Sequence, residues 1–129
     1  MLNPFNLRLL FMGLLSVAAN AGNAEKFDCT TSMACTKDEE CVILTAKLRI
    51  FDRLPGQGRI EARSFLVDLE ELTQDQAKRR DWLINGAVTG LTGLVTIYED
   101  GSLIISEHSQ ASDGAPISTA TFGNCEREN

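Results

Sequence analysis

From Cys41 to Phe51 the apolar positions alternate: Val42, Leu44, Ala46, Leu48 and Ile50 share one parity, while Thr45, Lys47 and Arg49 hold the other and Ile43 breaks the pattern. A period of two is the signature of a half-buried strand, because successive side chains point to opposite faces. Pro55-Gly56-Gln57-Gly58 then reads as a turn. A second strand starts at Arg59, with Ile60 and Ala62 inward and Arg59, Glu61 and Arg63 outward. The parity changes at Phe65-Leu66-Val67, which predicts a bulge or a strand buried on both faces. The stretch Thr73–Arg80 is the one good helix candidate: Thr73 and Gln76 have capping-box spacing, and basic residues close the segment. Asn85-Gly86 and Asp100-Gly101 are type I′ hairpin signals. The second is flanked by the apolar runs Gly93–Tyr98 and Leu103–His108. Ser109–Pro116 reads as a polar loop, and a last strand runs from Ile117 to Cys125.

The pattern therefore predicts a mainly β domain: a small antiparallel barrel or sandwich of six to seven strands with one short helix. Sheets of this size escape exposed edges by closing into a barrel or folding into a sandwich, and the barrel is the expected form. Alternating strand–helix units are missing, which excludes a doubly wound parallel sheet.

The first two dozen residues follow a different rule. They carry one charged side chain, Arg8, then the apolar run Leu9–Ala19, then the small residues Asn20-Ala21-Gly22-Asn23-Ala24. That order is the order of a secretory signal peptide. The run is too short to span about 30 Å of hydrocarbon, which needs roughly 20 residues. Cleavage frames after Ala21 and after Ala24 both fit, and Ala24 is favoured. The expected organisation is a signal peptide over 1–24 and a single β domain over 25–129. The chain would then be periplasmic or secreted, with no membrane anchor after cleavage.

Cys29, Cys35, Cys41 and Cys125 all follow the leader. An even count in a small exported chain reads as two disulfides. Structural zinc sites usually pair cysteines two to four residues apart, whereas both short gaps here hold five residues. Of the three possible connectivities, Cys29–Cys125 and Cys35–Cys41 are expected. A closed barrel sets the first strand beside the last, and the polar turn Thr36–Glu40 brings the other two cysteines together.

Charge and composition narrow the function. The chain of 129 residues has a net charge of -6. An acidic protein lacks the basic face that phosphate contacts need, so nucleic acid is not an expected partner. His108 is the only imidazole. Alternation puts it on one face with Ser106, but no Gly-x-Ser-x-Gly elbow is present, and the cysteines are taken by bridges. The carboxylate runs Asp38-Glu39-Glu40, Asp68 with Glu70-Glu71, and Glu99-Asp100 lack the aromatic platforms of a glycosidase and the spacing of an EF-hand. Pro55-Gly56-Gln57-Gly58 lacks the Lys-Ser/Thr of a phosphate loop. Trp82 reads as core. No catalytic residue, metal or cofactor is expected.

The frame Cys29-x5-Cys35-x5-Cys41, the hairpin Thr96–Ser102 and the ending Phe122-Gly123-Asn124-Cys125-Glu126 resemble those of a group of small exported proteins of Gram-negative bacteria. That resemblance implies a periplasmic location and a β fold, and it implies no activity. The chain is also similar, more loosely, to periplasmic inhibitors of c-type lysozyme, small β-barrels whose first and last strands are joined by a disulfide. Asn124-Cys125 and Cys29 fit that arrangement, but the Ser-Gly-x-x-Tyr segment of those inhibitors is absent.

The expected function is that of a non-enzymatic, disulfide-stapled module binding a protein or a surface component. A lysozyme-type hydrolase inhibitor and a small-ligand carrier are the alternatives. The candidate binding patch is Lys47, Arg49, Arg59 and Arg63, which share outward parity on two adjacent strands. Register decides its meaning. If Phe51 pairs with Arg59, Arg49 faces Glu61; an offset of two residues would set Arg49 against Arg63 and make like charges repel.

Overall fold

The computed structural model describes residues 24–72, 78–85 and 90–128. Within them lie nine strands: β1 (Lys26–Thr36), β2 (Val42–Ile43), β3 (Lys47–Asp52), β4 (Gln57–Ala62), β5 (Leu66–Glu71), β6 (Arg79–Ile84), β7 (Thr92–Tyr98), β8 (Ser102–Gln110) and β9 (Pro116–Arg127). Each strand from β3 to β9 pairs antiparallel with the next, and β9 pairs with β1 to close the sheet. β3 lies against the first half of β1, at Lys26–Thr30, and β2 lies against Met33 and Ala34 further along the same edge. The result is a closed antiparallel barrel of eight strands, with β2 as a short extra piece continuing the line of β3.

Three expectations need correction. The parity change near Phe65 is neither a bulge nor a doubly buried strand. It is a hairpin turn in which the Ala62 N–H donates to the Phe65 carbonyl at 3.0 Å, so one expected strand becomes β4 and β5. The strand count rises above six to seven for this reason. The expected helix is also replaced. Arg79 and Arg80 already belong to β6, where Arg80, Trp82 and Ile84 point inward, and residues 73–77 lie outside the described residues. There is no helix among the described residues. The third correction concerns the Asp100-Gly101 hairpin. It joins β7 to β8 as expected, but only Gly101 has a positive φ, of 88°, and its N–H donates to the Tyr98 carbonyl at 2.9 Å. This is a three-residue connection with glycine in the left-handed position, not the two-residue type I′ form. The Asn85-Gly86 signal falls partly outside the described residues.

The run Cys41–Phe51 is interrupted because Thr31 competes for its backbone. The Thr31 hydroxyl donates to the Leu44 carbonyl at 2.6 Å and accepts from the Ala46 N–H at 2.8 Å. Those side-chain bonds replace ladder bonds where β1 itself shifts register, between Thr31 and Met33. Leu48 and Ile50 consequently stay inward and buried, whereas Val42, Ile43 and Leu44 are exposed.

Inward residues of every barrel strand fill the lumen. Trp82 is fully buried at its centre, with Phe27 edge-on at 6.2 Å between ring centroids and Ile50, Ile97 and Leu103 around it. A glycine lets the backbone approach the indole closely: a Cβ on Gly58 would lie 3.1 Å from Trp82 Nε1 and 3.2 Å from the Phe51 carbonyl oxygen, a tight fit. The two bridges are Cys29–Cys125 and Cys35–Cys41. The first joins directly opposed residues of β1 and β9 inside the barrel and spans 96 residues of chain. The second closes the exposed β1–β2 turn.

Candidate functional site

Two charged constellations stand out, one inside the barrel and one on its wall. The inner one is centred on Arg80, whose side chain is 2% exposed. Inward parity on β6 carries it to the barrel end that holds Glu25, the β3–β4 turn and the β7–β8 turn. Its Nε donates to Glu71 Oε1 at 2.8 Å, its Nη1 to Glu25 Oε2 at 2.6 Å, and its Nη2 to Asp52 Oδ1 at 2.9 Å. The guanidinium also sits 4.8 Å from the centre of the Trp82 ring, a cation–π distance. Burial alone would lower the Arg80 pKa, but Asp52, Glu71 and Glu25 outweigh it, and the pKa lies above the ordinary arginine value. Each of the three nitrogens is engaged within the chain. The cluster is therefore a lock, not a binding site for an external anion. The helix expected over Thr73–Arg80 hid it from the sequence reading. The signal that could have found it is the alternation Arg80, Trp82, Ile84.

The outer constellation is a groove of about 780 Å³ running across β9, β1, β3 and β4. The register sets Phe51 opposite Arg59 and Arg49 opposite Glu61. One row across the wall is Glu126, Asp28, Arg49 and Glu61; the next is Asn124, Thr30 and Lys47, with Arg63 just past the end of β4. The groove thus has an acidic row and a row that ends basic. Of the four residues expected to form a basic patch, Lys47, Arg49 and Arg63 line it and Arg59 does not. Arg49 is held by Glu128 at 3.1 Å and Asp28 at 3.6 Å, and Arg59 by Asp68 at 3.0 Å, beside Arg53. Lys47 and Arg63 form no ion pair among the described residues.

The remaining candidates are scattered. Ser106 and His108 share the outer face of β8, yet no hydrogen bond joins them, and Glu107 between them has the inward parity of Leu103 and Ile105. Burial raises the Glu107 carboxyl pKa, and the side chain has no hydrogen bond or ion pair among the described residues. Asp38, Glu39 and Glu40 form the exposed turn between Cys35 and Cys41. Asp100 accepts the Ser102 N–H at 2.8 Å, and that bond holds its carboxyl below the usual range. Among the described residues no three His, Cys, Asp or Glu side chains converge as metal ligands.

Comparison with protein-family models, with curated proteins and with solved structures finds no match to this chain.

Proposed function

We propose that the protein is an exported, non-enzymatic binding scaffold and that the groove across β9, β1, β3 and β4 receives its partner, a protein or a surface component. The observation that carries this reading is the pair Lys47 and Arg63. Two cations that form no ion pair among the described residues line one concave wall of a disulfide-stapled barrel. Elsewhere on that wall Arg49 is neutralised by its neighbours. Unpaired cations keep their charge available for acidic groups of a partner, and they steer its approach from solution. The two disulfides fit an oxidising compartment, in keeping with the leader-like first 24 residues.

A hydrolase inhibitor of the lysozyme-inhibitor type is the second reading. It is favoured by one observation, the bridge between the first and last strands of a small closed barrel. A carrier of small apolar ligands fits less well, because Trp82, Phe27, Ile50 and Leu103 already occupy the middle of the lumen.

The test is affinity capture from a periplasmic extract with the oxidised protein and with its Lys47→Gln, Arg63→Gln variant. Partners recovered by the parent should be lost or weakened about tenfold in the variant, a change of about 1.4 kcal/mol, with an unchanged melting temperature. Identical recovery and identical salt dependence from both proteins would reject the groove. Inhibition of a c-type lysozyme by the parent protein would move the assignment to the second reading.

A further inference from the structure

The backbone nitrogen of Glu25 is placed as an ammonium group should be. It lies 3.2 Å from Asp52 Oδ2, and the Asp52 N–H returns a bond to the Glu25 carbonyl at 3.0 Å. Asp52 is 18% exposed, and its other oxygen is already engaged by Arg80. Ala24, on the other side of the Ala24–Glu25 peptide bond, is exposed. Glu25, Asp52 and Glu71 contribute three carboxylates, against Arg80 and the more distant Arg127, 3.6 Å from Glu25. The Glu25 nitrogen faces the second oxygen of Asp52, where a positive charge on it would meet a carboxylate directly.

We infer that the Ala24–Glu25 bond is the processing site of this chain and that the α-ammonium released there completes the lock around Arg80. The inference rests on the export reading above. In the step, water adds to the Ala24 carbonyl carbon and the C–N bond breaks. Ala24 leaves as a carboxylate, and the Glu25 nitrogen takes up a proton to become an ammonium. The catalyst is a signal peptidase of the host, a hydrolase cutting after small side chains. The neutral amide bond to Asp52 becomes a charge-assisted one, the stronger class. Cleavage after Ala21 would instead leave the ammonium three residues upstream, up to about 10 Å of chain away, and would not supply the charge at Asp52.

The experiment expresses the full chain with its own leader in a Gram-negative host and reads the intact mass of the periplasmic product. A mass starting at Glu25 is expected. The melting temperature is then compared with that of a variant carrying one alanine inserted between Ala24 and Glu25, with its start checked by mass. The insertion keeps every side chain and moves the amine by one residue, and a fall of about 4 °C is expected. The difference should vanish in an Asp52→Asn background. Should that variant fail to fold, an NMR titration of the parent's α-amine replaces it. The Asp52 carboxylate beside the amine favours its charged form, so its midpoint should lie above the ordinary 7.7–8.0 or so. A product starting at Gly22, an unchanged melting temperature on insertion, or an ordinary midpoint overturns the inference while leaving export standing. A product that retains residues 1–24 overturns export along with it.

Discussion

The two ends of this barrel solve the problem of buried charge in opposite ways. At the arginine end a guanidinium is placed among three carboxylates, backed by the Trp82 ring, and every nitrogen has a partner. At the far end Glu107 has inward parity between Gly93 on β7 and Thr119 on β9, with no ion pair among the described residues. The first arrangement is expensive to break, since removing one partner strands charges that have already lost their water. The second is cheap to alter, because a single half-buried carboxylate can take up a proton instead. The ends differ in surface too. Val42, Ile43, Leu44, Phe65 and Leu66 are exposed around the far end, where β2 pairs with β1 over only two residues. The lesson is that a closed sheet need not be uniformly stable: closure fixes the topology, and the lumen side chains decide which end holds.

Replacements at the bridges, at Arg80 and at Glu107 should affect the two ends unequally. Replacing Cys29 and Cys125 together with Ala removes the link that serves both ends. By chain entropy over its 96-residue separation the loss is about 4.7 kcal/mol, measurable by denaturant unfolding with a fall at both ends of the barrel. Arg80→Met should cost about 3–5 kcal/mol by leaving Glu25, Asp52 and Glu71 without their central cation. If Arg80→Met melted within a degree of the parent, the lock would not exist. Replacing Cys35 and Cys41 with Ser opens a link of only six residues' separation, worth about 2.4 kcal/mol. Its effect should be confined to the β1–β2 turn, with the arginine end still protected.

The smallest expected effect is at Glu107. Its pKa is raised in the fold by burial, so the folded state holds the proton more tightly than the unfolded state does. The favourable contribution of such a group is complete below the unfolded value and disappears as the pH rises through the folded one. At pH 7 the carboxylate therefore weakens the fold, and Glu107→Gln should melt slightly higher than the parent. The gain should shrink towards zero by about pH 4. A variant that is equally stabilised at both pH values would show that burial of charge is not the cause.

Much of the barrel was legible in the sequence because alternation is a local property. Leu48 and Ile50, Ile60 and Ala62, and the runs around Asp100-Gly101 are strands for reasons contained within a few residues. Once the first and last strands were expected to be neighbours, the place of Cys29 and Cys125 followed. What failed was competition between local signals. Thr73 with Gln76 and a basic ending looks like a helix, yet Arg79 and Arg80 belong to β6, because Arg80 finds Glu71, Asp52 and Glu25 across the lumen. No window of sequence holds those four residues together. The break at Leu44–Ala46 was illegible for the same reason, since Thr31 causes it from thirteen to fifteen residues away. At the candidate site, parity grouped Lys47, Arg49, Arg59 and Arg63 correctly on outward faces. It could not say that Asp28, Glu128 and Asp68 would occupy two of them.

Amide hydrogen exchange on the oxidised protein tests the contrast between the ends most directly. Amides of β6 and β7 around Arg80, Trp82 and Ile97 should exchange only through global unfolding. Those of Val42, Ile43 and Ala46 should exchange through local opening, orders of magnitude faster. Equal protection at the two ends, or faster exchange around Arg80 than around β2, would contradict the account.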